Sequence, residues 1–182
     1  MEKVKLDLPT QILTDRLSIQ KLRYEEAEEI FYSYSSKAEA TRFMSWPTHE
    51  SVDDTIAFLQ YAEQGWKAGT DFSYSVRLLH NGRLIGSFGI INENGKLQFG
   101  YIYSPTQWGN GYATEVCIAM MEILRRQNGV YRIQTFTDID NVPSAKVLLK
   151  SGLVEEARLS HWYRFVNQNN EAKDCIHFRL PL

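Results

Sequence analysis

Two glycines near the middle of the chain stand where backbone amides could bind an anion. They lie in the run Trp-Gly-Asn-Gly-Tyr-Ala, residues 108–113, which leads into apolar residues at helical spacing. The first N–H groups of a helix have no partner inside the helix, and the helix dipole places partial positive charge on them. Because glycine has no side chain, a ligand can approach this backbone closely. We therefore expect the N–H groups of residues 109–113 to form a cradle for a pyrophosphate.

Two other phosphate-binding patterns do not fit this run. The dinucleotide-binding fingerprint needs a third glycine at the position that Thr114 occupies. The loop that ends in Gly-Lys-Ser/Thr is absent from the sequence. The structural alternative is a glycine turn that begins a helix and binds nothing.

A strand precedes this loop and a helix follows it. Residues 96–103 alternate in polarity and are rich in aromatic side chains, as is typical of a strand. Pro105 ends this strand because proline has no N–H to donate to a neighbouring strand. The apolar residues with helical spacing after the loop are Ala113, Val116, Cys117, Met120 and Leu124.

The flanking segments predict a mixed sheet. Residues 72–79 and 84–91 form a hairpin around Asn-Gly, the strongest short hairpin signal, and a turn at 92–95 leads into the central strand. Residues 132–137 form the next strand, and the intervening helix implies a parallel pair with a right-handed crossover. The other predicted elements are a strand near 17–22, helices at 25–35, after Ser51 and from Asn141 to Gly152, an irregular stretch at 36–50, and a hairpin of 155–166 with 174–180.

The glycine loop and a second motif resemble the GNAT N-acetyltransferases, most closely the branch of ribosomal-protein N-terminal acetyltransferases. The family's acyl-CoA loop, Gln/Arg-x-x-Gly-x-Gly/Ala, fits at Gly111 and Ala113, with Trp108 in place of Gln or Arg. The run Trp-Gly-x-Gly-Tyr-Ala-Thr-Glu is typical of this branch. The second motif is Asn-x-x-Ser, beginning at Asn141, then a leucine-rich helix that ends in Gly-Leu instead of Gly-Phe. The resemblance covers residues 12–180.

This resemblance implies one α/β domain over residues 1–182 with the GNAT fold, a mostly antiparallel sheet splayed at one parallel strand pair and flanked by helices. It implies acetyl-CoA as co-substrate, with the pantetheine arm between the parted strands. The residues expected to contact acetyl-CoA are Tyr101, Ile102, Tyr103, Trp108, Gly109, Asn110, Gly111, Tyr112, Ala113, Thr114, Asn141 and Ser144. The alternative for Asn141 is a helix N-cap alone, and for Ser144 a hydroxyl bonded to its own helix backbone.

The chemistry implied is acetyl transfer from a thioester to an amine by direct attack, because no serine or cysteine nucleophile with a paired base is visible. The resemblance implies that the N–H of Ile102 polarises the thioester carbonyl. It also implies that Ser144 protonates the leaving thiolate, since Leu148 stands where many GNAT enzymes carry a tyrosine acid. Gln98 replaces a frequent glutamate base, so a water chain would serve an α-amine, whose pKa is about 8. Glu115 is expected to be structural, since the helix dipole favours an acid there.

The acceptor is less well defined by the sequence. In the fold that the resemblance implies, Phe43, Met44 and Trp46 would line the acceptor pocket, and core packing is the alternative for each. A protein N-terminal α-amine is the leading acceptor by resemblance, followed by small amines such as polyamines or aminoglycosides. A non-catalytic acyl-CoA sensor is the alternative class of function.

Composition and charge bear on the partners, metals and cellular compartment that the protein could have. The 182 residues carry a formal net charge of −2, so charge alone does not favour nucleic acid as a partner. The apolar runs are too short for a membrane span, and no Cys/His spacing indicates a metal site. The two cysteines are far apart, which fits a reducing cytoplasm. The sequence leaves monomer and homodimer open.

Overall fold

The computed structural model describes residues 3–182 as one eight-stranded mixed sheet with helices on both faces. The strand order is β1-β2-β3-β4-β5-β6-β8-β7. The strands are β1 Gln11–Leu13, β2 Leu17–Lys21, β3 Asp71–Leu78, β4 Leu84–Glu93, β5 Lys96–Tyr103, β6 Arg132–Asp138, β7 Val154–Arg164 and β8 Ala172–Arg179. The helices are α1 Ala27–Ile30, α2 Ala38–Thr41, α3 Val52–Ala68, α4 Tyr112–Leu124 and α5 Val142–Lys150.

The sheet is antiparallel except at its centre, where β5 and β6 run parallel with α4 as their crossover. These two strands pair at three positions only, the last of which joins Gln98 to Gln134. Beyond that pair β5 continues to Tyr103 and β6 to Asp138 without pairing to each other. The predicted parallel pair and its splay are confirmed. We call the opening between the carboxyl ends of these strands the β5–β6 gap.

Different helices cover the two faces of the sheet. On one face, the α4 face, Val116 and Met120 pack with Leu97 and Ile133 of the central strands in the larger core cluster. On the other, the α3 face, helices α1 and α3 cover β4 and the end of β5, and Ile102 packs there with residues such as Leu59. Burying one such aliphatic side chain contributes about 1.5–3 kcal/mol. Both clusters meet at β5, which fixes the strand that borders the gap.

Local sequence decides where several elements begin and end. The helix predicted after Ser51 is α3, and it begins with a capping box: Ser51 Oγ accepts a hydrogen bond from the N–H of Asp54, and the Asp54 carboxylate accepts from the N–H of Ser51. Helix α3 then ends at Gly69, whose φ of 70° suits glycine.

Three short elements differ from the sequence-based expectation. Strand β1 was not predicted, and the stretch 36–50 contains α2, a single helical turn. The helix predicted at 25–35 is a composite of a 3-10 turn, α1 and a π-helical turn over Phe31–Ser35. Elements of three to five residues are too short to display a periodicity. Within residues 3–182, no helix combines the length and the apolar character that crossing a membrane requires.

Candidate active site

The glycine loop presents unpaired backbone N–H groups at the start of α4. Gly109 and Gly111 have φ angles of 78° and 79°, in the left-handed region that glycine adopts without strain. The first helical hydrogen bond runs from the N–H of Glu115 to the carbonyl of Gly111 at 3.1 Å, so the N–H groups of residues 112–114 lie before it. Residues 108–111 are exposed. The predicted geometry of an anion cradle is present.

Arg16 lies against this loop and is a residue of the site that the sequence-based predictions missed. Its Nη1 donates to the carbonyl of Asn110 at 3.0 Å, and its guanidinium sits 4.6 Å from the centre of the Tyr112 ring. A Cβ atom built on Gly111 would be 3.6 Å from its Nη2. The contact joins residues 94 positions apart in the chain, so no local pattern could reveal it.

The Glu115 carboxylate is fully engaged by the segment before β2. It accepts hydrogen bonds from Thr14 Oγ1 at 2.6 Å and from Arg16 Nε at 2.7 Å. Burial alone would raise the pKa of Glu115, but these hydrogen bonds outweigh it and the pKa lies below its usual value. The expected structural role of Glu115 agrees with this arrangement, since an anion held by an arginine is a poor base.

Successive residues of β5 direct their backbone groups to opposite neighbours. The N–H of Ser104 donates to the carbonyl of Ile85 at 2.8 Å, on the β4 side, whereas the carbonyl of Phe99 accepts from Thr135 Oγ1 at 2.7 Å, on the β6 side. Even-numbered residues of this strand therefore bond to β4, and odd-numbered residues face the gap. The carbonyl of Tyr103 follows the same rule, because it accepts from Trp108 Nε1 at 3.0 Å.

This alternation corrects the expectation for Ile102. Ile102 lies opposite Ser87 in the β4–β5 register, two residues from the Ser104 hydrogen bond, so its N–H points to β4 and not into the gap. The backbone groups that face the gap beyond the last β5–β6 pair belong to Tyr101 and Tyr103. The sequence could not show to which side each backbone group of β5 points. Alternation alone does not say which residues bond to β4 and which face β6.

The amino-terminal turn of α5 lies across the gap from β5. Asn141 caps the helix, as predicted, by accepting a hydrogen bond from the N–H of Ser144 at 3.3 Å. Ser144 Oγ lies 2.9 Å from the phenol oxygen of Tyr101, so these two hydroxyls share a hydrogen bond. Leu148, at the position where a tyrosine acid is common, is 1% exposed and belongs to the core. The structure thus brings Tyr101, Asn141 and Ser144 together.

The gap opens on the α3 face through a glycine. Gly100 is exposed, and a Cβ atom built on it would meet no heavy atom within 4 Å. On the β6 side, the aromatic ring of Phe136 lies 5.2 Å from that of Tyr163, and both side chains are half-buried. Phe136 was not predicted to line the acceptor site, because it stands alone in an otherwise ordinary strand.

The segment that carries Phe43, Met44 and Trp46 is held beside this opening by the turn between β7 and β8. Met44 and Trp46 pack against the core cluster that contains Ile102, and all three side chains are half-buried. Asn167 donates from Nδ2 to the carbonyls of Thr41 at 2.7 Å and Trp46 at 2.9 Å. Its Oδ1 accepts from the N–H of Thr48 at 3.0 Å.

Charged and polar groups of β6, β7 and β8 meet on the α3 face below the gap. Glu156 is paired with Arg132 and with Arg179, whose Nε lies 3.2 Å from its carboxylate. The hydrogen bond from Arg132 is the main reason why the pKa of Glu156 lies below its usual value. Burial, reinforced by the charge of Arg132, lowers the pKa of the adjacent His177. Gln134 accepts a hydrogen bond from Arg132 and completes this cluster.

Residues 16–154 match the model of the acetyltransferase (GNAT) domain. The uncharacterized N-acetyltransferase YoaA of Bacillus subtilis is 27% identical over 152 residues, which are 82% of this chain and 85% of YoaA.

Solved structures share the fold at lower identity. RimL, a ribosomal L7/L12 α-N-protein acetyltransferase solved with coenzyme A, has a TM-score of 0.82 at 15% identity, over 98% of this chain and 97% of that one. The spermidine N-acetyltransferase of Vibrio cholerae, solved with CoA and spermine, has a TM-score of 0.77 at 16% identity, over 92% and 96% of the two chains. With its glycine loop, its splayed parallel pair and a domain match over most of its length, the chain belongs to the GNAT family of acetyl-CoA-dependent acetyltransferases.

Proposed function

We propose that this acetyltransferase acts on the free α-amine at the N-terminus of a protein. The observation that carries the proposal is the pair of amides, Gln98 and Gln134, at the base of the β5–β6 gap on the α3 face. An amide cannot accept the proton that an attacking ammonium must lose. Glu156, on the same face, is occupied by Arg132 and Arg179. The site therefore suits an acceptor that needs little help from a base.

The pKa of the acceptor separates the candidate classes. An α-amine has a pKa of about 8, so roughly a tenth of it is neutral at pH 7, whereas an alkylamine with a pKa near 10.4, like that of lysine, is less than about a thousandth neutral. A polyamine also carries several positive charges, so its binding site would need carboxylates that are not already paired within the protein. The carboxylate of Asp138 accepts from Gln168 and from the N–H of Asp140, and Asp140 is paired with Lys173.

The remainder of the site divides into a cofactor side and an acceptor side. The N–H groups of residues 109–114 bind the pyrophosphate of acetyl-CoA, with Trp108 and Gly109 forming the entrance to the loop. The pantetheine arm lies in the gap, where its amides pair with the backbone of Tyr101 and Tyr103, and Asn141 holds it from α5. The acceptor enters over Gly100, between the segment of Phe43, Met44 and Trp46 and the side chains of Phe136 and Tyr163. Similarity to RimL supports the acceptor class, since that protein acts on a ribosomal protein.

Acetyl transfer then proceeds by direct attack. The neutral amine forms a C–N bond to the thioester carbon, and the developing oxyanion is stabilised by a backbone N–H that faces the gap, that of Tyr101 or Tyr103. The C–S bond breaks, the nitrogen releases its proton to water, and the CoA thiolate takes up a proton, with Ser144 as the donor beside it. Because a thiol has a pKa near 8.5, this protonation assists the reaction without being essential to it.

The acceptor class can be tested by thiol release from acetyl-CoA. The panel contains short peptides with a free N-terminus, the same peptides with a blocked N-terminus and an internal lysine, spermidine, and an aminoglycoside. We expect turnover with the free peptides only, acetylation of the α-nitrogen by mass spectrometry, and a kcat/KM that rises with pH up to the pKa of the α-amine. Turnover with spermidine or the aminoglycoside and with no peptide would overturn the proposal. CoA binding without turnover on any amine would indicate a sensor.

A further inference from the structure

We propose that Tyr101 is a positioning residue whose phenol holds the Ser144 hydroxyl so that the serine proton is free for the leaving sulfur. The inference deepens the proposed function, because it rests on Ser144 acting at the thiolate. The usual tyrosine acid of α5 is replaced by Leu148, which is buried in the core. A tyrosine from β5 instead reaches the first turn of α5 from the opposite wall of the gap.

The geometry ties the two side chains together. The phenol oxygen of Tyr101 lies 2.9 Å from Ser144 Oγ and 3.4 Å from the Ser144 carbonyl oxygen. The N–H of Ser144 is used by the Asn141 cap. Within residues 3–182, the hydrogen-bond partner of Ser144 Oγ is the phenol of Tyr101 and not the backbone of α5, which is the alternative for a serine in a first turn.

The surroundings keep Tyr101 in place and protonated. Its ring stacks on Phe88, with 6.4 Å between the ring centres, and packs against the larger core cluster. Burial raises the pKa of Tyr101 far above its usual value, and the neighbouring Cys117 thiol adds to this, while the bond to Ser144 acts in the opposite direction. The phenol is thus a permanent O–H donor at working pH, and one that cannot rotate out of the site.

The positions of the two hydroxyls determine how their protons would be used. The phenol has one proton, and the serine hydroxyl has one proton and two lone pairs. When the C–S bond breaks, the Ser144 proton turns to the sulfur and the Tyr101 proton fills a lone pair of Ser144 Oγ. A hydroxyl that accepts one hydrogen bond donates another more strongly. Tyr101 itself transfers no proton, and the proton that ends on sulfur is replaced from the water that received the amine proton.

A double-mutant cycle tests this assignment. Single-turnover rates at saturating acetyl-CoA are measured for the wild type, Tyr101→Phe, Ser144→Ala and the double variant, with whichever primary amine the wild type acetylates. Tyr101→Phe keeps the ring that stacks on Phe88 and removes only the hydroxyl. We expect it to lower the rate about fivefold, which corresponds to one hydrogen bond of about 1 kcal/mol. In the Ser144→Ala background the same change should have no further effect, because the two residues act as a unit.

Two controls separate positioning from packing. Tyr74→Phe removes another buried phenol, one that donates to the carbonyl of Pro9, before β1, at 2.9 Å, and it should leave the rate unchanged. CoA affinity by calorimetry and thermal unfolding establish that each variant is folded and binds the co-substrate. A wild-type rate in Tyr101→Phe or in Ser144→Ala would overturn the inference. So would an equal loss from Tyr101→Phe with and without the Ser144 hydroxyl.

The proposed acceptor and the proposed role of Tyr101 can be disproved independently of each other. If the wild type acetylates spermidine but no peptide, the acceptor proposal is wrong, and the cycle run on spermidine still decides the role of Tyr101. If peptides are acetylated and the cycle is additive, the acceptor proposal stands and the positioning role does not.

Discussion

Arg16 and Glu115 join the beginning of β2 to the first turn of α4, with Arg16 Nη2 and Glu115 Oε2 2.7 Å apart. The Glu115 side chain is 18% exposed and the Arg16 side chain 49% exposed. The same arginine reaches the carbonyl of Asn110 in the glycine loop. One ion pair therefore fixes the loop backbone relative to the sheet, and Glu115 is used to hold the cradle and not to move a proton.

We expect Glu115→Gln to lower the free energy of unfolding by about 1–2 kcal/mol at pH 7, since hydrogen bonds to a charged partner are lost. The pKa of Glu115 in the folded protein lies below 4.5, so its stabilising effect is present above the unfolded value and is lost as the pH falls through the lower folded value. Urea unfolding of both proteins should show a difference that is constant near neutral pH and shrinks below about pH 4.5. A difference that persists undiminished in acid would mean that the charge of Glu115 is not responsible.

Gly111→Ala tests the cradle and has a matched control in Gly82→Ala. Both glycines have positive φ, 79° and 72°, and neither has an atom closer than 3.6 Å to a built Cβ. Each change should therefore carry a similar backbone cost of about 1–2 kcal/mol. Only Gly111 lies in the loop, so only Gly111→Ala should weaken CoA binding, by about tenfold or 1.4 kcal/mol. Equal CoA affinities for the two variants in calorimetry would remove the loop from the binding site.

Asn141→Ser separates capping from binding. Asn141 Oδ1 caps α5 by accepting from the N–H of Ser144, and serine is an equally good cap. The thermal midpoint should then be unchanged. If the amide also donates to the pantetheine arm, the KM for acetyl-CoA should rise about fivefold, the equivalent of one hydrogen bond. Asn141→Asp, which keeps the cap oxygen and loses the amide donor, should behave in the same way. Unchanged kinetics in both variants would leave Asn141 as a cap only.

The elements that a periodic pattern defines were predictable from sequence, and the contacts between distant segments were not. The glycine loop, α4, the cap at Asn141 and the parallel pair each follow from residues that are neighbours in the chain. The orientation of Ile102 depends instead on the register with β4, which is a tertiary property. The position of Arg16 depends on a contact across 99 residues, and an arginine before a strand has many possible partners.

The acceptor side was the least predictable part of the site for the same reason. The aromatic residues near Trp46 were visible in the sequence, but what holds them at the gap is Asn167, in the turn between β7 and β8. An asparagine in a turn is usually explained by local backbone preference. Its four hydrogen bonds to the segment 41–48 instead connect elements about 120 residues apart.

These four hydrogen bonds give the last prediction. Asn167→Ala should release the segment that carries Phe43, Met44 and Trp46 while leaving β5, α4 and α5 intact. We therefore expect the KM for the acceptor to rise about tenfold, since a wall of the pocket loses its anchor, and the KM for acetyl-CoA to stay unchanged. The free energy of unfolding should fall by about 1–3 kcal/mol, as for buried polar groups left without partners.

The control is Asn169→Gly in the same turn. Asn169 is exposed and has a φ of 54°, which glycine accepts readily, so both KM values should remain those of the wild type. Steady-state kinetics with each substrate varied in turn, together with urea unfolding, make the comparison. If Asn167→Ala raises the two KM values equally, the turn supports the whole gap and not the acceptor side. If it changes stability alone, the segment 41–48 does not form a wall of the acceptor pocket, and the side chains of Phe136 and Tyr163 become the better candidates.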